Sequence, residues 1–312
     1  MMLADIPPLS FSQYFSDPQG FARSLGGQVR RYGFAVISEH GIAQDLCDQA
    51  YEAAQAFFAL PDSVKRKYHQ PGGGGARGYT PFGIETAKGA QHSDLKEFWH
   101  VGRDLGPGHR FRDHMGDNLW PDEVPAFRPV FTQLYAALDG VGRALVSALA
   151  RDLGLAPDWF EPALKDGNSI LRLLHYPPVP VDSPAVRAGA HEDINTITLL
   201  LGAEEAGLEL LDRDGRWIAV NPPPGCLVCN IGDMLQRHTN NVLPSTTHRV
   251  VNPAPERRHV PRYSIPFFLH YASDFLIETL PGCATAANPN RYPVPITANA
   301  YLEERLAEIK LK

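Results

Sequence analysis

Between residues 170 and 271 the sequence breaks into short β-rich runs separated by turn residues, and this constrains the fold more than any other feature. The runs cover 170–176, 195–201, 208–211, 217–220, 226–231, 249–251 and 263–271. Asp212-Arg-Asp-Gly215 and Pro222-Pro-Pro-Gly225 carry turn chemistry between neighbouring runs, so successive strands fold back on one another. Many short antiparallel strands closing around a site predict a jelly roll, which limits exposed edges by pairing two sheets. The fold class is therefore mainly β with helices, a double-stranded β-helix core preceded by a helical N-terminal part.

Helical signals flank this half. Leu46, Ala50, Ala53, Phe57 and Leu60 recur at helical spacing and Pro61 stops them, which predicts a helix over 44–60. Phe127, Phe131, Leu134, Leu138, Val141, Leu145 and Leu149 predict a long helix over 126–155, with Pro129 either in its first turn or breaking off a short leading piece, since proline lacks the N–H and clashes inside a helix. A short helix over 20–31, a strand over 32–37 and an amphipathic tail helix over 299–311 complete the outline. Residues 79–123, rich in Gly, Pro, His and Asp, read as an irregular cover for a site. The glycine run at 72–75 lacks the Gly-Lys-Ser/Thr ending of a phosphate loop and reads as a mobile loop.

A net charge of −6 with scattered Lys and Arg argues against a nucleic-acid partner. No stretch reaches the roughly 18 apolar residues of a membrane span, and the opening residues show no secretory pattern, so a cytoplasmic location is expected. Cys226 and Cys229 form a CxxC with no second pair, in a run that reads as a buried strand; they are expected to be structural.

His191-Glu-Asp193 opens the uncharged run 194–202. On a strand, residues two apart share a face, which puts His191 and Asp193 together and turns Glu192 away. Two histidines and one carboxylate on one side of a metal leave the opposite positions open, the arrangement of non-haem Fe(II) oxygenases. His238 and His248 are both candidates for the third ligand, and the residues alone do not separate them. Arg262 and Ser264 also lie two apart, a guanidinium fork and a hydroxyl able to hold a carboxylate.

Arg31-Tyr-Gly-Phe-Ala-Val-Ile-Ser-Glu-His-Gly-Ile42, Arg77-Gly-Tyr79 and Asp94-Leu-Lys-Glu-Phe98 come first in a longer ordered series. Leu174-His-Tyr-Pro-Pro178, His191-Glu-Asp193, Asn230-Ile-Gly-Asp233, Thr239-Asn-Asn241, Ser245-Thr-Thr-His-Arg-Val250 and Arg262-Tyr-Ser264 follow in the same order. In these motifs the chain resembles the isopenicillin N synthase-like branch of the Fe(II)- and 2-oxoglutarate-dependent dioxygenases over nearly its whole length. The resemblance implies a non-haem dioxygenase N-terminal region over 1–120. It implies the long helix, jelly-roll core and C-terminal helix over 121–312 as one structural unit.

The resemblance further implies that His191, Asp193 and His248 hold Fe(II), and that Arg262, Ser264 and Tyr176 hold the distal carboxylate of 2-oxoglutarate. With O2, the implied reaction is decarboxylation to succinate and CO2 coupled to hydroxylation, desaturation or cyclisation of a small molecule. Glu192 stands where many relatives have threonine, and Leu174-His175 where plant members often have asparagine and tyrosine. Tyr79, Phe82, Phe268 and Tyr301 are the substrate-facing candidates by position. The alternatives are an isopenicillin N synthase-type oxidase without 2-oxoglutarate, an ethylene- and succinate-forming enzyme, and a non-catalytic β-sandwich binding module.

Overall fold

The computed structural model of the chain describes residues 6–72, 75–85, 92–113, 115–180, 182–201 and 207–308. Its strands are β1 (Leu9–Ser10), β2 (Phe34–Ser38), β3 (Gly78–Thr80), β4 (Glu97–Gly102), β5 (Ile170–Tyr176) and β6 (Ala188–His191). They continue with β7 (Ile197–Leu201), β8 (Leu208–Leu211), β9 (Trp217–Ala219), β10 (Leu227–Ile231), β11 (His248–Val250) and β12 (Arg262–Leu269). The large sheet has the order β1-β2-β10-β7-β12-β5-β4-β3 and the small one β6-β11-β8-β9, a jelly roll with helices added. The large sheet draws β1 to β4 from the first 120 residues and its other strands from the second half.

Side-chain alternation gives the large sheet two different faces. Leu171, Leu173, Leu199, Leu227, Cys229, Phe267 and Leu269 point outward into the main core. There they meet helices α1 (Pro18–Tyr32), α2 (Gln44–Phe58) and α3 (Phe127–Asp152) through Phe21, Leu25, Phe57, Phe131, Leu138 and Leu145. The alternate residues Arg172, Thr198, Asn230, Arg262 and Ser264 fall on the inner face, so a polar set lies between the sheets.

Local chemistry explains the helix ends. Asp17 accepts a bond from the Gly20 amide at 2.9 Å and Pro18 occupies the first turn of α1. Gly33 closes α1 at φ 71°, a left-handed conformation that suits glycine, and delivers the chain straight into β2. α3 starts at Phe127, so Pro129 does fall in its first turn. Two later helices flank the site, α4 (Asp233–His238) and α5 (Ala298–Glu308).

The structure corrects the sequence outline in three places. Residues 79–123 contain β4, whose six residues are all buried; because both faces are covered, the strand lacks apolar-polar alternation. His191 ends β6, and Asp193 lies in the loop beyond it, so the pair is not held by strand periodicity. The helix expected over 20–31 begins at Pro18. Gly73, Gly74 and Ile309 lie outside the described residues. Among the described residues the four cysteines are buried free thiols, and no helix is long and apolar enough to cross a membrane.

Candidate metal centre and adjoining cavity

His191, Asp193 and His248 each offer one donor atom, and these atoms lie within 4.8 Å of one another. His191 and His248 are directly opposed across the antiparallel β6–β11 pair. The Nδ1–H of His191 donates to the Gly189 carbonyl at 2.8 Å, and that of His248 to the Thr246 carbonyl at 3.0 Å. Each ring is thereby fixed in the tautomer that leaves Nε2 with a lone pair. Both Nε2 atoms stand 3.8 Å from Asp193 Oδ1. Asp193 Oδ2 is occupied elsewhere, accepting from the Thr198 hydroxyl at 2.5 Å and from Asn230 Nδ2 at 2.8 Å.

The electrostatics suit a cation. Burial, then the neighbouring His248, pushes His191 down to about 4, so its ring is neutral near pH 7 and ready to ligate. Burial alone would raise the Asp193 carboxyl, but His248 and His191 beside it, with the Thr198 and Asn230 bonds, hold it below the usual range. Two imidazoles and one carboxylate form the donor set of a 2-His-1-carboxylate iron site. His238 stands apart, with its Nδ1 bonded to the Tyr271 hydroxyl at 3.0 Å.

Arg262 and Tyr176 are register partners on β12 and β5, with the guanidinium carbon 5.1 Å from the Tyr176 ring centroid. Arg262 Nη1 donates to Ser264 Oγ at 3.2 Å, and all three residues are buried. A second guanidinium adjoins them. Arg187 is fully buried, gives Nη2 to the Val260 carbonyl at 2.8 Å, and leaves Nε and Nη1 without hydrogen-bond partners among the described residues. Burial and then Arg262 lower it to about 10. Two adjacent buried cations, with the unsatisfied Nε and Nη1 of Arg187 among their donors, fit an anionic ligand such as the distal carboxylate of 2-oxoglutarate.

Beside the triad lies a cavity of about 480 Å³, walled by residues of both sheets and of α5. One wall carries an ordered charge network. Lys96 Nζ meets Asp94 at 2.8 Å and Glu85 at 3.1 Å. Arg172 gives Nη1 to Glu85 at 3.2 Å and Nε to His100 Nε2 at 2.6 Å, and lies between the rings of Phe98 and Phe268 at 4.3 and 5.3 Å. Burial would raise Glu85, but Arg172 and Lys96 hold its carboxyl far below the usual range. Asp94 also accepts from the Gly189 amide at 2.9 Å, tying this network to the strand that carries His191.

Of the four residues expected to face substrate, only Phe268 lines the cavity. Tyr79 instead turns into the helix-side core, where its ring packs 5.7 Å from that of Phe57 and its hydroxyl donates to Glu97. Phe82 is exposed and Tyr301 lies near Arg237, 5.6 Å from its guanidinium carbon. On α5 the residues at the cavity are Leu302, Arg305 and Leu306, spaced three and four apart on one face, and Tyr301 is not among them. Glu192 accepts from the Thr247 hydroxyl at 3.0 Å, away from the ligand cluster. Thr198, Asn230, Arg187, Arg172, Glu85, Lys96 and His100 had no role assigned from sequence. The motifs Asp94–Phe98 and Asn230–Asp233 contained Lys96 and Asn230 without indicating what they do.

Comparison with known proteins adds independent findings. A family model described as "non-haem dioxygenase in morphine synthesis N-terminal" matches residues 6–123, and one described as "2OG-Fe(II) oxygenase superfamily" matches 167–271. The 2-oxoglutarate-Fe(II) type oxidoreductase hxnY of Emericella nidulans is 33% identical over 93% of this chain and 86% of its own. The proline hydroxylase buaE of Petromyces alliaceus is 32% identical over 97% and 99%. Among solved structures, a 2OG-Fe(II) oxygenase family protein from Caulobacter crescentus is 63% identical with a TM-score of 0.91, covering 98% of this chain and 99% of that one. A full-length Neurospora crassa protein crystallised in complex with alpha-KG and thymine is 29% identical with a TM-score of 0.86, covering 97% and 96%.

Proposed function

The chain belongs to the 2OG-Fe(II) oxygenase superfamily, and from that premise we propose that His191, Asp193 and His248 are its iron ligands and Arg262, Ser264 and Tyr176 its 2-oxoglutarate clamp. The enzyme is an Fe(II)/2-oxoglutarate-dependent dioxygenase that couples conversion of 2-oxoglutarate to succinate and CO2 with oxidation of a small-molecule substrate. The observation that carries the residue assignment is the shared orientation of His191 Nε2, His248 Nε2 and Asp193 Oδ1, each left open by bonds made on its other side. Iron bound there would supply activation of O2.

The chain's own residues do the positioning. Thr198 and Asn230 hold the Asp193 carboxylate in one orientation, and the Gly189 and Thr246 carbonyls hold the imidazoles. Arg262 and Ser264 present a fork and a hydroxyl to a carboxylate, with Arg187 adding charge behind them. The cavity wall of Phe268, Ile170, Ile194, Leu302 and Leu306 excludes water from the substrate, and Lys96 and Arg172 set its polar side. One relative is named for proline and another was crystallised with thymine, both compact polar molecules, which supports a substrate of that size here.

The division at residue 120 is proposed as a boundary between sequence families within one working unit, because β2 and β4 are interior strands of the large sheet. A cytoplasmic site of action is also proposed, supported by the free thiols. Anaerobic addition of Fe(II) and 2-oxoglutarate to the wild-type protein should give the visible charge-transfer band of the chelate, and admission of O2 should release succinate. Retention of both signals by Asp193→Ala and His248→Ala would rule the ligand assignment out.

A further inference from the structure

Among the described residues the cavity wall holds four Lys or Arg side chains, and three of them are already paired with carboxylates. Lys96 meets Asp94 at 2.8 Å, Arg172 meets Glu85 at 3.2 Å, and Arg305 meets Asp233 at 3.0 Å. Arg77 is different. It is 4% exposed, its Nε and Nη1 donate to the backbone carbonyls of Gly116 and Ala76 at 3.1 and 2.7 Å, and its Nη2 has no hydrogen-bond partner among the described residues. No carboxylate pairs with it among the described residues.

The surrounding acids do not fill the gap. Asp104 and Asp117 act on Arg77 only at a distance, and they are engaged elsewhere, Asp117 with Arg112 at 2.5 Å and Asp104 with Asn118 at 2.6 Å. The neighbouring stretches 73–74 and 86–91, outside the described residues, contain no Asp or Glu. The position is also built. Gly75 and Gly78 bracket Arg77 at φ 66° and 71°, where a side chain would be strained, and at Gly78 a Cβ would meet the Tyr68 carbonyl at 2.6 Å. Gly102 leaves room for the guanidinium, because a Cβ there would collide with it. A buried guanidinium with an orphaned N–H is costly unless an anion completes it.

We propose that Arg77 binds a carboxylate of the substrate, so that the oxidised molecules are small organic acids rather than neutral compounds. This rests on the reading of the cavity as the substrate site of a 2-oxoglutarate oxygenase. Arg77 Nη2 donates to the carboxylate, while Phe268, Ile170 and Leu302 receive the apolar remainder. The carboxylate thereby fixes which carbon of the substrate is presented to the triad.

The test uses acetate and acetamide, nearly isosteric probes that differ in charge. The full chain is saturated with Zn(II) and 2-oxoglutarate, which blocks the Arg262 site, and binding of both probes is followed in one tube by saturation-transfer NMR. Wild type should prefer acetate about tenfold, the worth of one charge-assisted hydrogen bond. Arg77→Gln should bind the two about equally, and Arg77→Lys should keep the acetate preference. Since the readout is a ratio, partial misfolding of a variant lowers both signals without mimicking the result. A wild type without acetate preference, whether both probes bind or neither does, overturns the proposal, as does a preference that survives in Arg77→Gln. The 2-oxoglutarate methylene signals in the same spectra separate the two readings. If 2-oxoglutarate itself does not bind, the oxygenase site assignment fails; if it binds and the acetate preference is absent, only the present inference fails.

Discussion

His191 and His248 are register partners across β6 and β11, their ring centroids are 4.4 Å apart, and each ring bonds through Nδ1 to the carbonyl two residues before it. The same local device thus orients both imidazoles, and strand pairing brings them together. The pair is oriented by these bonds before any ion arrives, so binding costs little reorganisation.

Loading the site should therefore stabilise the fold. At a free-ion concentration of about 100 times Kd, the gain is about 2.7 kcal/mol, which for a chain this long is a rise of several degrees in Tm. Differential scanning calorimetry of chelator-treated and Fe(II)-loaded protein under anaerobic conditions should show that rise in wild type and none in Asp193→Ala.

Asn230→Ala and Thr198→Val remove partners of Asp193 Oδ2 and leave all three ligands in place. Iron affinity should fall about 10–100-fold in Asn230→Ala, measured by competition with a chromogenic chelator. An unchanged affinity would show that the carboxylate is oriented by something else.

Truncating the proposed co-substrate clamp should act on 2-oxoglutarate alone. Arg262→Ala should raise the KM for 2-oxoglutarate by tens-fold or more, in line with about 1.5–3 kcal/mol for a hydrogen bond to a charged group, and Ser264→Ala by less. Isothermal titration of 2-oxoglutarate into the Zn(II)-loaded variants checks this without turnover, and an iron affinity that fell in parallel would point to misfolding.

Acid should destabilise the metal-free protein in a defined window. Burial pushes His191, His238 and His270 down to about 4 each, whereas unfolded histidines titrate near 6.5. Between these values the unfolded chain binds more protons, so stability is full above about pH 6.5 and is lost as the pH falls toward about 4. Thermal melts across this range should slope accordingly. His238→Gln, which leaves the triad intact, should give a shallower slope.

Arg305 on α5 pairs with the buried Asp233 on α4 at 3.0 Å and also lines the cavity. Arg305→Met should cost about 2 kcal/mol, less than the ~3–5 of a fully buried pair because the arginine keeps 23% exposure. It should also loosen α5, which urea melts and limited proteolysis after residue 298 would register. Arg305→Met combined with Asp233→Asn should recover part of the stability.

The strands of the second half were legible because each run is short and bounded by turn residues, and β5 and β8 match their expected bounds. The third ligand was not legible from the residues alone. What distinguishes His248 from His238 is its pairing opposite His191, a contact made across more than fifty residues of chain that leaves no local mark. Arg172 and His100 were missed for a related reason: on β5 and β4 both faces are covered, so inward polar residues do not alternate with exposed ones. Tyr301 lies by Arg237 and not at the cavity, because four apolar positions at helical spacing predict a helix without saying which side meets the site.

The recruitment of β2 into the large sheet also bears on how the chain is made. Phe34 pairs with Asn230, about 200 residues later, and Ile37 with Leu227. During synthesis at about 5–20 residues per second, the Phe-Ala-Val-Ile-Ser strand waits on the order of 10–40 seconds for its partner to leave the ribosome. Completion of the sheet is a late, long-range event, set by loop closure rather than by local propensity. The nascent chain is consequently most in need of chaperones during that interval.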